Sequence, residues 1–168
     1  MKVYACMETL EPRFIADVHL GKLARRLRLL GFDTLYQNNF TRQDLICLAV
    51  EEGRMLLSRD LAFGANRTIH FMHIDDENPT VQLTSLIKRL KLKNRIRPFS
   101  RCLACNGMLQ EADKEKIALL IEDNTSKYFD RFWQCENCRR IYWKGSHYDH
   151  MLELVAMIEK MADDPPAI

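Results

Sequence analysis

Apolar positions between Phe14 and Leu92 switch repeatedly between two rhythms. A short unbroken run, Phe14-Ile15-Ala16, reaches Asp17; from Leu20 a stripe follows through Leu23, Ala24, Leu27 and Leu30, the spacing of one helix face. This predicts a strand that delivers a carboxylate at its tip, then a helix that packs back on it. Gly31 suits the position just past a helix end, and FDTLYQ (32–37) predicts a second strand. Thr41 can cap a second helix, whose apolar positions Leu45, Ile46, Leu48, Ala49 and Val50 run up to Glu51-Glu52-Gly53. RMLLSRD then repeats the opening pattern, an apolar strand closing on Asp60. TIHFMHID predicts a fourth strand, and a helix is expected from about Val81 to Leu92. Alternating strands and helices predict an α/β fold, a parallel sheet with helices on both faces. In such sheets ligands bind at the carboxyl ends of the strands, where Asp17 and Asp60 both fall.

Charge changes the picture downstream. The net charge of the 168-residue chain is only +2, yet residues 88–101 (KRLKLKNRIRPFSR) hold seven Lys or Arg and no acid. Such a run repels itself unless a polyanion binds it, and nucleic acid is the economical partner. It also marks an expected boundary: a sheet domain over 1–92, a basic linker over 93–100, and a smaller cysteine-bearing module with a C-terminal helix over 101–168. Within that module DKEKIALLIED (113–123) predicts a helix, HYDHMLELVAMIEKMA predicts the last one, and DDPPAI reads as a loose tail. No apolar run is long enough to cross a bilayer, and the N-terminus has no cleavage-site pattern, so no membrane partner and a cytoplasmic location are expected. An apolar content of 47% is enough to build a core.

Four of the six cysteines form two C-x-x-C knuckles, Cys102/Cys105 and Cys135/Cys138, separated by 29 residues. That spacing predicts one structural Zn²⁺ held by four thiolates, with Asn106-Gly107 supplying a tight turn. Four thiolates leave no open coordination position, so this zinc is not catalytic. Cys6 and Cys47 read as ordinary small apolar residues.

The carboxylates carry the candidate chemistry. Asp17 and Asp60 end strands, and Asp44 lies in the first turn of the second helix. Three carboxylates at one sheet edge repel each other unless a divalent cation such as Mg²⁺ or Mn²⁺ neutralises them. A cation there polarises a phosphodiester and lowers the pKa of an attacking water. Each acid has a plainer alternative: Asp44 as a favourable charge at a helix N-terminus, Asp60 as a cap. Lys22, Arg25, Arg26 and Arg28 lie opposite the apolar stripe of the first helix, either along a phosphate backbone or as a solvated face. Trp133, Tyr142 and Trp143 either stack bases or form the core of the small module. His147 and His150 either assist acid–base chemistry or contact a phosphate, or they sit on the first turn of a helix capped by Ser146.

The pattern F-x-x-D-x-x-L-G-K-L-A-R-x-L-R-x-L-G-F-D (Phe14 to Asp33), Asp44, Ser58-Arg59-Asp60, R-C-x-x-C-N-G and C-x-x-C-R-x-I-Y-W-K-G-S-H (ending at His147) resembles the Mut-seven C-terminal RNase domain family. The resemblance spans roughly residues 13 to 152. It implies a PIN-like (Rossmann-like) sheet followed by a zinc ribbon, and a metal-dependent ribonuclease. By position it makes Asp17, Asp44 and Asp60 the catalytic acids holding one or two Mg²⁺ or Mn²⁺ ions, and Cys102, Cys105, Cys135 and Cys138 the zinc ligands. Ser58 stands where the family commonly has Thr, a change that keeps the hydroxyl. A fourth acid would be Asp75 or Asp76. The expected activity is hydrolysis of single-stranded RNA, with Lys22, Arg25, Arg26, Arg59, Lys91, Lys93, Arg95, Arg97 and His147 as the RNA contacts. Two alternatives remain open: an RNA- or ribosome-binding module that does not cleave, and a toxin-type nuclease held by an antitoxin.

Overall fold

The computed structural model describes residues 11–163, so Cys6 and the tail beyond Asp163 lie outside them. A four-stranded parallel sheet has the order β2-β1-β3-β4, formed by β1 (Arg13–Ala16), β2 (Asp33–Leu35), β3 (Met55–Ser58) and β4 (His70–His73). Side chains alternate across it. Phe14, Ala16, Met55 and Leu57 enter one core, against α1 (Gly21–Leu29) and α3 (Pro79–Arg89); Ile15 and Leu56 enter a second, against Leu45 and Ala49 of α2 (Arg42–Glu51). Both faces are buried, which is why the strands read as continuous apolar runs. The chain leaves β1 toward β2 over one face and crosses to β3 over the other, so the strand order reverses between β1 and β3. That reversal opens the crevice where α/β sheets bind ligands.

Local chemistry sets the element ends. The α1 helix closes in a Schellman turn: Gly31 has φ +92°, its amide donates to Arg28 O, and the Phe32 amide donates to Leu27 O. A side chain at Gly31 would meet the Arg97 carbonyl. The α2 helix begins with a reciprocal capping box, in which the Asp44 amide donates to Thr41 Oγ1 and the Thr41 amide donates to Asp44 Oδ2. The α3 helix starts earlier than its apolar pattern suggests, because Asn78 caps it and Pro79 takes the first helical position. It also stops earlier, at a turn where Lys91 adopts φ +53°.

Residues 93–100 are packed rather than extended. Leu92 and Ile96 are buried with α1 and α3, and the Arg97 and Phe99 amides donate to the carbonyls of Leu30 and Leu29. Beyond them an antiparallel three-stranded ribbon comprises β5 (Leu109–Ala112), β6 (Phe132–Cys135) and β7 (Ile141–Trp143). The single helix expected over 113–123 is not formed. The segment instead breaks into α4 (Lys114–Ile117), a 3₁₀ turn over Ala118–Leu120 and α5 (Asp123–Tyr128), with Leu119 and Leu120 exposed rather than packed. The last helix, α6 (Ser146–Asp163), returns to the first sheet and buries Val155 and Ile158 in the core that holds Leu83, Leu86 and Ile87. No helix among the described residues is long and apolar enough to cross a membrane.

Candidate functional site

The carboxyl edge of the sheet is built around Ser58, the last residue of β3. Its buried hydroxyl donates to Asp17 Oδ2 at 2.5 Å and accepts from the Asp60 amide at 3.0 Å. Asp17, just past β1, also takes the His19 amide on Oδ1, capping a short 3₁₀ turn. This carboxylate is 6% exposed, and among the described residues no Lys, Arg or His nitrogen comes within 4 Å of it. Buried charges are ordinarily paired or hold metals.

The other two acids face water, each with a local partner. Asp60 takes the Ala62 amide on Oδ1 and Arg42 on Oδ2 at 2.7 Å; the amide bond first, with Arg42 assisting against slight desolvation, holds its carboxyl below the usual range. Arg42 in turn lies 4.0 Å above the Phe63 ring. Asp44 is held below the usual range by the Thr41 amide and hydroxyl of the capping box. The plainer roles of Asp44 and Asp60 are therefore present. The structure joins Asp17 to Asp60 through Ser58, and Asp60 to the start of α2 through Arg42. It does not bring three acid oxygens within 4.8 Å of one another: among the described residues only the four cysteines form such a group. Asp75 pairs with His73, and Asp76 caps the Asn78 amide.

Cys102, Cys105, Cys135 and Cys138 place their Sγ atoms within 4.8 Å of one another, with Cys102–Cys138 at 3.6 Å and Cys105–Cys135 at 3.4 Å. A tetrahedral ion bound to sulfur at about 2.3 Å needs sulfurs roughly 3.8 Å apart, so the set fits a metal such as zinc. The two knuckles share one geometry, with left-handed residues, Asn106 (φ +73°) and Arg139 (φ +61°), directly after the second cysteine of each. Burial pushes the Cys102 thiol up, but hydrogen bonds from Tyr142 and from the Cys105 and Ala104 amides outweigh it and bring it to about 6. Burial raises Cys105 and Cys135. Tyr142, read as a base-stacking or core residue, is thus a partner of the cysteine site.

The ribbon is tied to the sheet by groups that sequence reasoning missed or misplaced. Arg28 is not on a solvated face: it is 4% exposed and donates to the carbonyls of Thr34, Leu103 and Ala104 at 2.9, 3.3 and 2.8 Å. Asn106 accepts from the Thr34 amide and donates to Asp33, which also pairs with Arg54 and, at longer range, with Arg13 and Arg101. Arg101 donates to Gly31 O. Among the expected RNA contacts, Lys22, Arg25, Lys91, Arg97 and His147 are exposed, and Lys93 and Arg95 are half-buried. Arg26 donates to Thr80 Oγ1, and Arg59 pairs with Glu77.

This is a parallel α/β protein with acids at its topological switch point and a docked four-cysteine ribbon. The chain belongs to the Mut7-C RNAse domain family, whose model matches residues 12–155. That membership points to a nuclease-type hydrolase with RNA as its substrate. No curated protein and no solved structure matches the chain.

Proposed function

We propose that the protein hydrolyses phosphodiester bonds of single-stranded RNA, using Mg²⁺ or Mn²⁺ held by Asp17, Asp60 and Asp44. The observation that supports this reading best is Asp17, a buried carboxylate with no cationic partner among the described residues, at the point where the strand order reverses. A divalent cation there would supply charge neutralisation and an activated water. Asp17 would be its fixed ligand, oriented by Ser58 and the His19 amide. Asp60 would turn from Arg42, an exposed pair of the kind that contributes little, and Arg42 would then be free to meet a phosphate. Lys22, Arg25, Arg26, Arg59, Lys91, Lys93, Arg95, Arg97 and His147 would hold the RNA backbone. The four cysteines would bind one structural Zn²⁺, which fits a reducing compartment such as the cytoplasm.

The test is cleavage of a labelled single-stranded RNA in Mn²⁺ by the wild-type chain and by Asp17→Asn. Loss of a metal-holding carboxylate should lower the rate at least about a hundredfold; equal rates would sink the assignment. A binding module that does not cleave has one observation in its favour, since Asp60 and Asp44 are already engaged by Arg42 and Thr41. It predicts salt-sensitive RNA affinity, no products at any Mn²⁺ or Mg²⁺ concentration, and no effect of Asp17→Asn.

A further inference from the structure

The ribbon and α6 meet α1 across an open cleft of about 780 Å³. Lys22, Arg25 and Arg26 line one wall; Trp143, Phe129 and His147 line the other, and no Asp or Glu is among the lining residues. Lys22 and Arg25 are exposed and form no ion pair among the described residues. Trp143 is 40% exposed, an unusual state for so large a ring, and its centroid lies 6.4 Å from that of Phe129. Its support is firm: the preceding residue, Tyr142, is tied to Cys102 Sγ at 3.0 Å, and Gly145 approaches so closely that a Cβ there would lie 3.1 Å from the indole nitrogen.

The cleft also has a direction. Lys22 lies in the first turn of α1, five residues after Asp17, while Leu29 at the far end of the same wall reaches the ribbon. Seven residues of helix separate these ends by about 10 Å. One end therefore opens beside the Asp17 edge and the other beside the aromatic platform. Unpaired cations on one wall and open ring faces on the other are what a single strand needs, because its bases are free to stack while its phosphates remain continuous. A duplex offers no base faces to Trp143.

We propose that this cleft is the track along which single-stranded RNA reaches the Asp17 edge, with phosphates on Lys22 and Arg25 and an unstacked base on Trp143 and Phe129. The proposal rests on the ribonuclease reading for its substrate, and binding separates the two. The chain has two tryptophans, so Trp133→Phe leaves Trp143 as the sole indole reporter. In an Asp17→Asn background, which keeps the probe intact, a 12-nucleotide single-stranded RNA should quench Trp143 emission. Its affinity, measured by anisotropy of a labelled copy, should fall at least tenfold in Lys22→Glu/Arg25→Glu. The slope of log affinity against log salt should flatten by about 1.4, two contacts at about 0.7 each. Trp143→Ala should weaken binding at least fivefold, the lower end of what a stacked base is worth. Lys116→Glu, an exposed residue outside the cleft lining, should change nothing, and a duplex of the same sequence should bind at least tenfold more weakly. Absence of quenching, unchanged affinity in both cleft variants, or equal duplex binding overturns the track. If those results accompany Mn²⁺-dependent cleavage abolished by Asp17→Asn, the nuclease stands and the cleft falls. If the cleft variants lose binding but the wild-type chain cleaves nothing, the cleft stands and the nuclease falls.

Discussion

The Ser58 hydroxyl sits between the two acids that end strands, donating to Asp17 and accepting from the amide of Asp60. Removing it leaves a buried carboxylate oxygen without its donor and frees the turn that aims Asp60. An unsatisfied buried partner of this kind costs about 1–3 kcal/mol. Ser58→Ala should therefore lower unfolding free energy by that amount and reduce any metal-dependent cleavage further still. Ser58→Thr keeps the oxygen, so it should retain most of both. Denaturant melts of the two variants check the order, and equal losses would show that the hydroxyl does not matter. Arg42 is the other residue at this edge whose role lies in its partner: it spans Asp60 and the Phe63 ring, contacts that come from packing α2 against the turn after β3.

The contact between helix and ribbon separates what is legible in sequence from what is not. Strand and helix positions show through because burial on both faces writes apolar runs, and the knuckles show through because thiolate ligands need fixed spacing. The Thr41-x-x-Asp44 spacing spells its own capping box. Arg28 looks like its neighbours Arg25 and Arg26 because its partners are backbone carbonyls, two of the three more than 70 residues away, which leave no trace in composition. The one available signal is its register, four residues after Ala24 at the border of the apolar stripe. Arg28→Met should strand those carbonyls and remove a cation facing the thiolates of Cys102 and Cys105, lowering stability by about 3 kcal/mol and speeding metal loss. Arg25→Met, three residues away on the exposed face, should stay within about 0.5 kcal/mol of wild type. The orientation of acids at the sheet edge was likewise not legible: sequence places them at one edge but does not say which oxygens the caps and Arg42 take. Asp33 adds a pH dependence to the same contact. Burial raises its pKa, but hydrogen bonds from Arg54 and Asn106 outweigh burial and set the carboxyl below its ordinary 3.8. Its contribution is thus complete above the ordinary value and is lost as the pH falls through the depressed one. Acid melts should steepen below about pH 4 in the wild type and be flatter in Asp33→Asn; parallel curves would remove Asp33 from this role.

At the scale of the whole molecule, the helix that follows the ribbon belongs to the core of the sheet. Val155 and Ile158, which follow the ribbon in sequence, are buried with Leu83, Leu86 and Ile87 of α3, while Arg28, Asn106 and Arg101 clamp the first knuckle to the segment 28–34. A three-stranded ribbon with Phe132 as its one large fully buried side chain has little stability of its own without a metal. Metal loss should free four thiols packed together, loosen both knuckles and release the carbonyls that satisfy the buried Arg28 guanidinium. Destabilisation should then pass into α1, since the same clamp holds its C-terminal turn. Stripping the metal with a chelator should lower the melting temperature of the entire chain by about 10 °C or more while keeping a single transition, the helical signal and the tryptophan emission shifting together. Cys105→Ser should reproduce the effect without chelator, and re-addition of Zn²⁺ should restore only the wild type. Two separate transitions, with the helical signal unmoved by the chelator, would show instead that the ribbon is an independent module resting on the sheet.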